Sequence, residues 1–271
     1  LSLFLTSGIT DHLYSSYFSY LIPSNYYGIY ILTGLLMIFK FINETNKADN
    51  LQYVIIILFS GGLILCASRA AFLSLFILMI LYLIYVILYK KNFLTGTIAF
   101  VLIITLSLSV LTIQIRPFER FKAIYYELRE DNSPKTLKSA SIRYQVWNAS
   151  WNAIRSNLVF GAGTGDVERA LNSSYKDLGI VTAAKRNLNT HNQFLQSWLA
   201  LGITGFLLLV FIILYGLISS YSNRDIIMAG IILSWGIFML TESCLERQYG
   251  VILFTLLYLT LMKKTKHQIG P

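Results

Sequence analysis

Apolar positions along this chain gather into long blocks; they do not alternate with polar ones. Crossing the hydrocarbon core of a bilayer takes about 20 mostly apolar helical residues. The blocks Tyr17–Phe41, Leu51–Ala67, Ala70–Tyr89, Phe93–Ile115, Gln193–Ile218, Ile226–Leu240 and Gly250–Met262 approach that length. Barrel strands would show alternation over about ten positions, which is absent here. The pattern predicts an all-α, polytopic membrane protein with about seven spanning helices. Pro23, followed by Ser24 and Asn25, predicts a local bend in the first block, since neighbouring helices can satisfy the backbone groups it releases. The second and third blocks abut at Cys66-Ala67-Ser68-Arg69-Ala70 with almost no linker.

One long polar stretch, from Arg116 to Thr190, separates the fourth and fifth blocks, and every other connection is short. Lys and Arg in short turns favour the cytoplasm. Lys40 and Lys47, Lys90 and Lys91, Arg224, and Lys263, Lys264 and Lys266 all fall on one side if the helices alternate. That side is expected to be cytoplasmic. Residues 116–190 then form one large outward-facing loop with short helices of its own, inserted into a single membrane domain over 1–271. Arg69 and the turn Glu242–Tyr249 share its side. The chain opens inside an apolar run, Leu1-Ser2-Leu3-Phe4-Leu5, without an initiator Met or a cleavage site. The expectation is the C-terminal portion of a longer polytopic protein whose first helices are missing.

Composition agrees with this picture and adds a puzzle. Of 271 residues, 55% are hydrophobic and only 13% charged, against about 25% charged in an average soluble domain; mean hydropathy is +0.60. These values exclude a disordered chain, a disulfide scaffold and almost any soluble enzyme of this length. Cys66 and Cys244 lie apart in apolar surroundings, without metal or redox spacing, and read as packing residues. Yet 22 Lys and Arg oppose 13 Asp and Glu, a net charge of +9. Twelve of those cations lie in the 116–190 loop against seven acids. A loop longer than about 60 residues can be translocated whatever its charge, so the topology stands. The surplus serves either anionic lipid headgroups or an anionic substrate, and does not call for nucleic acid.

Four places could carry chemistry. Arg69 stands between two spanning blocks, either snorkelling to the outer interface or facing a cavity that receives phosphate; Ser68 beside it can cap the next helix and bond the same anion. In Ser141–Ile154, residues Arg143, Trp147, Trp151 and Ile154 recur as one helical stripe. Trp favours the headgroup level, so this helix is expected along the membrane surface, with Arg143 towards the bilayer, suited to clamping a lipid headgroup bidentately. Phe160-Gly161-Ala162-Gly163-Thr164-Gly165-Asp166 fails the dinucleotide fingerprint and reads as a tight turn with glycines at positive φ. His191 stands at the mouth of the fifth block, where Thr190 is the expected N-cap. A helix N-terminus disfavours the imidazolium and leaves the ring able to accept a proton. Asp11 and Glu242 are rival bases. No metal-ligand motif occurs and no cofactor is indicated.

Taken in order, Ser68-Arg69-Ala70-Ala71, Arg143-Tyr144-x-x-Trp147, Phe160-Gly161-x-Gly163-x-Gly165, Thr190-His191-Asn192-Gln193-Phe194 and Leu201-Gly202-Ile203-x-Gly205 resemble the O-antigen ligase and polymerase superfamily. Its members are bacterial inner-membrane GT-C glycosyltransferases with a large periplasmic loop between two late helices. The resemblance covers roughly residues 50–260, and Glu242–Gly250 is similar to the final outer turn of such proteins, particularly Bacteroidetes-like ones. It implies an undecaprenyl-pyrophosphate-linked glycan as donor, Arg69 and Arg143 binding the pyrophosphate, and His191 as the base activating an acceptor hydroxyl. The acceptor would be lipid A-core for a ligase, another lipid-linked repeat for a polymerase, or a protein hydroxyl in a related branch. The single visible outer loop favours the ligase. From a different class, a flippase or exporter of lipid-linked sugars would place its charges along a path through the midplane or show inverted repeats, and neither is evident.

Overall fold

A computed structural model describes residues 22–45, 49–66, 68–85 and 139–266. Every element among them is helical. The chain divides into two compact units, one over Leu1–Lys122 and one over Ala123–Pro271.

The first unit contains α1 (Ser24–Thr45), α2 (Asn50–Cys66) and α3 (Arg69–Tyr85). Pro23 was expected to bend the first helix; instead it stands just before it. Its carbonyl accepts from the amides of Tyr26 (2.9 Å) and Tyr27 (3.2 Å). A proline lacks the N–H that a first helical turn cannot use, so it belongs at this boundary. α1 packs on both α2 and α3, and small residues bring the backbones close. A Cβ at Gly28 would strike Ser68, and one at Gly62 would come within 3.1 Å of Ile31. Ser68 is fully buried and caps α3, its Oγ accepting from Ala71 N at 3.4 Å.

The second unit holds α4 (Ser139–Ser156), α5 (Val167–Asp177), α6 (Val181–Lys185), α7 (Gln193–Ser222), α8 (Ile226–Thr241), a 3-10 turn at Cys244–Glu246, and α9 (Gln248–Lys266). One core joins α4, α5 and the N-terminal part of α7: Val146, Ala149, Ile154, Leu171, Tyr175 and Leu199 are almost wholly buried. The Tyr175 hydroxyl donates to the Leu188 carbonyl at 2.9 Å, fixing the chain that leads into α7. A second layer pairs α7 with α8 and α9, where Trp235 meets Phe238 edge-on and Phe254 at a tilt. The Tyr258 hydroxyl donates to the Ile212 carbonyl at 2.7 Å.

The stripe expected on α4 is not its buried one. Its buried face runs through Ile142, Val146, Ala149 and Ala153; Trp147 is exposed, and Trp151 meets Trp198 edge-on at 5.3 Å. At 3.6 residues per turn the four positions lie within about 80° of one another, but the α5 and α7 core selects the neighbouring stripe and buries only Ile154 of the four.

α1 and α7 are long and apolar enough to cross a membrane; Asn50–Cys66, Arg69–Ile84, Ile226–Thr241 and Gln248–Thr260 are apolar and shorter. Six of the seven blocks thus coincide with helices, and Phe93–Ile115 lies outside the described residues. α4, α5 and α6 are the short helices of the 116–190 segment.

Candidate functional site

The site grows from the N-terminus of α7. The cap is Asn192, not the expected Thr190: its backbone is extended (φ −155°, ψ 116°) and its side chain accepts from Phe194 N (2.9 Å) and Leu195 N (3.1 Å). Both residue types cap well. The choice falls to Asn192 because Thr190 is used elsewhere. Its hydroxyl donates to the Asn192 carbonyl at 2.8 Å and lies 2.8 Å from Ser243 Oγ. A hydroxyl has one proton, so Ser243 is the donor in that pair.

Between these two residues, His191 takes a left-handed backbone, φ 48°. That conformation is uncommon for a residue with a Cβ, and it turns the chain sharply just before the helix begins. The amide of His191 donates to Asn189 Oδ1 at 3.3 Å. Its Nδ1 is buried without a hydrogen bond, 3.6 Å from Glu242 Oε2. That is ion-pair range but beyond a hydrogen bond.

Glu242 terminates α8 with an extended backbone, and its side chain is largely buried. Its other oxygen, Oε1, accepts from Arg143 Nη2 at 3.1 Å. Glu242 therefore stands between the two residues singled out in this unit, in the order Arg143–Glu242–His191. Arg143 was expected to face the bilayer; one of its five N–H groups instead holds this carboxylate.

Further contacts stitch the α7 mouth to the segment after α8. Gln193 Oε1 accepts from Leu245 N at 2.7 Å, while its amide nitrogen donates to Ser197 Oγ at 3.2 Å. Cys244, inside this turn, is fully buried, and burial pushes its thiol up to about 12. It is a packing residue. In the sequence Gln193 and Ser243 stood only inside stretches that resemble the family, and nothing there marks a serine or glutamine as the partner of a segment some fifty residues away.

The glycine turn and the α7 break form one unit. Gly161 (φ 73°), Gly163 (φ 91°) and Gly202 (φ 69°) all have left-handed backbones. Gly202 kinks α7. In a regular helix Ile203 N would donate to the Leu199 carbonyl. Here Ile203 N donates to Leu158 O at 3.0 Å, while the Leu199 and Ala200 carbonyls accept from Ala162 N (2.7 Å) and Gly163 N (3.0 Å). A Cβ at Gly202 would strike the Val159 carbonyl, and one at Gly161 would strike the backbone of Ala200 and Gly202. The loop supplies the hydrogen bonds that the kink removes.

Arg69 belongs to the first unit, where it opens α3 half-buried beside Ser68. Asp11 lies outside the described residues. Among the described residues, no group of three or more His, Cys, Asp and Glu is placed to hold a metal ion.

No curated protein matches the chain. Residues 54–210 match the model of the O-antigen ligase family. The match takes in more than half of the chain, including Arg69, Arg143, His191 and both glycine motifs, and ends before Glu242. With the helical fold described above, this places the sequence: the chain belongs to the O-antigen ligase family.

Proposed function

We propose that this protein transfers a glycan from an undecaprenyl-pyrophosphate carrier to an acceptor hydroxyl on the periplasmic face of the inner membrane, as an O-antigen ligase acting on lipid A-core. The observation that carries the reading is the Arg143–Glu242–His191 chain at the mouth of an apolar 30-residue helix. It joins a cation, a carboxylate and an imidazole, the groups a metal-independent transfer of this kind needs.

In this reading His191 Nε2 takes the proton of the acceptor hydroxyl as its oxygen attacks the anomeric carbon. The bond from that carbon to the pyrophosphate oxygen breaks, its electron pair leaves with the carrier, and the anomeric centre inverts. Positive charge that arrives on the imidazole faces Glu242 Oε2 across 3.6 Å, and a shift of a few tenths of an ångström would close a hydrogen bond to Nδ1. Catalytic contacts commonly tighten only when substrate is bound. Arg143 holds Glu242 in place, and its remaining N–H groups are assigned to the negative charge that develops on the pyrophosphate; Arg69 keeps the same assignment from the family resemblance alone. Fixed donors in a site shielded from water are among the largest catalytic contributions. Glu242 is thus a partner of the base and not a rival to it.

The same reading takes the chain as one membrane domain with about seven spans, residues 116–190 as the periplasmic loop, and membrane lipids as its surroundings. The test is transfer by the purified protein, given an undecaprenyl-pyrophosphate glycan and lipid A-core. Glycan joined to lipid A-core, with loss of transfer in Arg69→Ala and Arg143→Ala, supports the ligase. Elongated carrier-linked glycan would show a polymerase instead. Donor accumulating on the cytoplasmic leaflet of cells carrying His191→Ala would point to transport and sink the reading.

A further inference from the structure

The tip of the glycine turn is not accounted for by the transfer chemistry. Leu158, Val159 and Phe160 are 45%, 57% and 84% exposed, three apolar side chains in succession. Contiguous exposed apolar surface of this kind marks an interaction site. The tip is also held firmly. Leu158 O accepts from both Ile203 N (3.0 Å) and the Trp198 indole N–H (3.1 Å), and Gly161 and Gly202 lie against each other where no side chain fits.

Its level along α7 identifies the partner. The 30 residues of α7 would extend about 45 Å at 1.5 Å per residue, well beyond a hydrocarbon core of about 30 Å. Gly202 breaks the helix so that Ile203–Ser222, roughly 20 residues, matches that core. At the far end of this stretch Tyr221 is 86% exposed, as suits an aromatic at a membrane interface. At the near end sits the Leu158–Phe160 tip, whose Val159 carbonyl lies against Gly202, next in the chain to exposed Leu201. Exposed Arg155 lies one turn before the tip, its guanidinium 5.6 Å from the Trp151 ring, a cation suited to a phospholipid phosphate.

We propose that Leu158–Phe160 is an interfacial anchor, inserting into the periplasmic leaflet with phospholipid acyl chains as its partner and fixing the depth at which the α7 mouth stands. The inference rests on the reading that α7 crosses the membrane, and the experiment separates the two. Phe160→Cys, Leu214→Cys and Lys176→Cys are each labelled with an environment-sensitive fluorophore in the full chain. The parent protein, whose two cysteines are buried, supplies the background. The proteins are placed in phosphatidylethanolamine–phosphatidylglycerol vesicles, and quenching by lipids spin-labelled high on the acyl chain, for 160, or near its end, for 214, is compared with quenching by aqueous iodide.

The label at 160 is expected to emit further to the blue than the label at 176. It should be quenched by the spin-labelled lipid and be several-fold less sensitive to iodide. Iodide quenching at 160 equal to that at 176 would overturn the anchor, and shielding from both quenchers would do so too, assigning the tip to a protein partner. If the label at 214 escapes the lipid quencher, the spanning reading of α7 fails. Lipid quenching at 214 without it at 160 removes only the anchor.

Discussion

Before Gly202, α7 buries Gln193, Gln196 and Leu199 and is tied to the rest of its unit by side-chain hydrogen bonds; after it, α7 exposes Leu207, Leu208, Phe211 and Ile218. One helix thus presents two kinds of surface. The first part is positioned by polar contacts from distant parts of the chain, each with a specific partner. The exposed face of the second part is a hydrophobic surface that many side chains could provide. Removing a single group should therefore matter in the first part and hardly at all on that exposed face.

The largest expected effect is at His191. His191→Ala removes the proposed base, and a positioned acid or base contributes about 10²–10⁴-fold. Transfer measured with purified protein should fall by that order while the yield of folded protein is unchanged. Leu208→Ala, on the exposed apolar face of the same helix, should leave transfer at the parent rate. If the two variants lose activity equally, the division of α7 into a chemical part and a spanning part is wrong.

Glu242→Gln comes next. It keeps the shape and the ability to accept from Arg143 but removes the charge beside Nδ1 of His191. A hydrogen bond to a charged group is worth about 1.5–3 kcal/mol, so a loss of about ten- to hundred-fold in transfer is expected, smaller than for His191→Ala. A loss in Glu242→Gln larger than in His191→Ala would make the carboxylate the base and His191 its support.

These two residues show how far the sequence could be read. The apolar blocks needed only composition and length, and six of them are helices. The left-handed glycines of the 160–165 turn and the position of His191 at a helix mouth were also legible, because local chemistry decides both. Long-range partners were not. Thr190 and Asn192 are equally good caps on paper, and the bond from Thr190 to Ser243, 53 positions away, settles which one serves. Gly202 read as part of a family motif, but its kink is supported by a loop about 40 positions earlier. Arg143 looked like a headgroup ligand on its own stripe, and a carboxylate 99 positions later claims part of its guanidinium. Glu242 was visible only as a competitor to His191.

Gly202→Ala probes the boundary itself. Its φ of 69° disfavours any Cβ, and the Val159 carbonyl occupies the space that Cβ would need. Strained backbone of this kind costs about 1–3 kcal/mol, to be read as a lower thermal midpoint in detergent. Because the loop and the kink share hydrogen bonds, Gly161→Ala should produce a similar drop, and the double variant should fall short of the sum. Full additivity would mean that the two glycines act independently.

The smallest effect expected is at Ser243. Its hydroxyl donates to Thr190 Oγ, and both residues are essentially buried. Ser243→Ala deletes that donor yet leaves Thr190 its bonds to the Asn192 carbonyl and amide, so no group is wholly orphaned and the cost should be about 1 kcal/mol. Stability and transfer ought then to decline together by a few-fold at most, since Gln193 still ties Leu245 to α7. Thr190→Val removes the acceptor as well as the donor and leaves the Asn192 amide without its side-chain partner, so it should cost more. If Ser243→Ala were instead as damaging as Thr190→Val, the joint between the α7 mouth and Glu242 would depend on that one hydroxyl pair and not on contacts shared along the two segments.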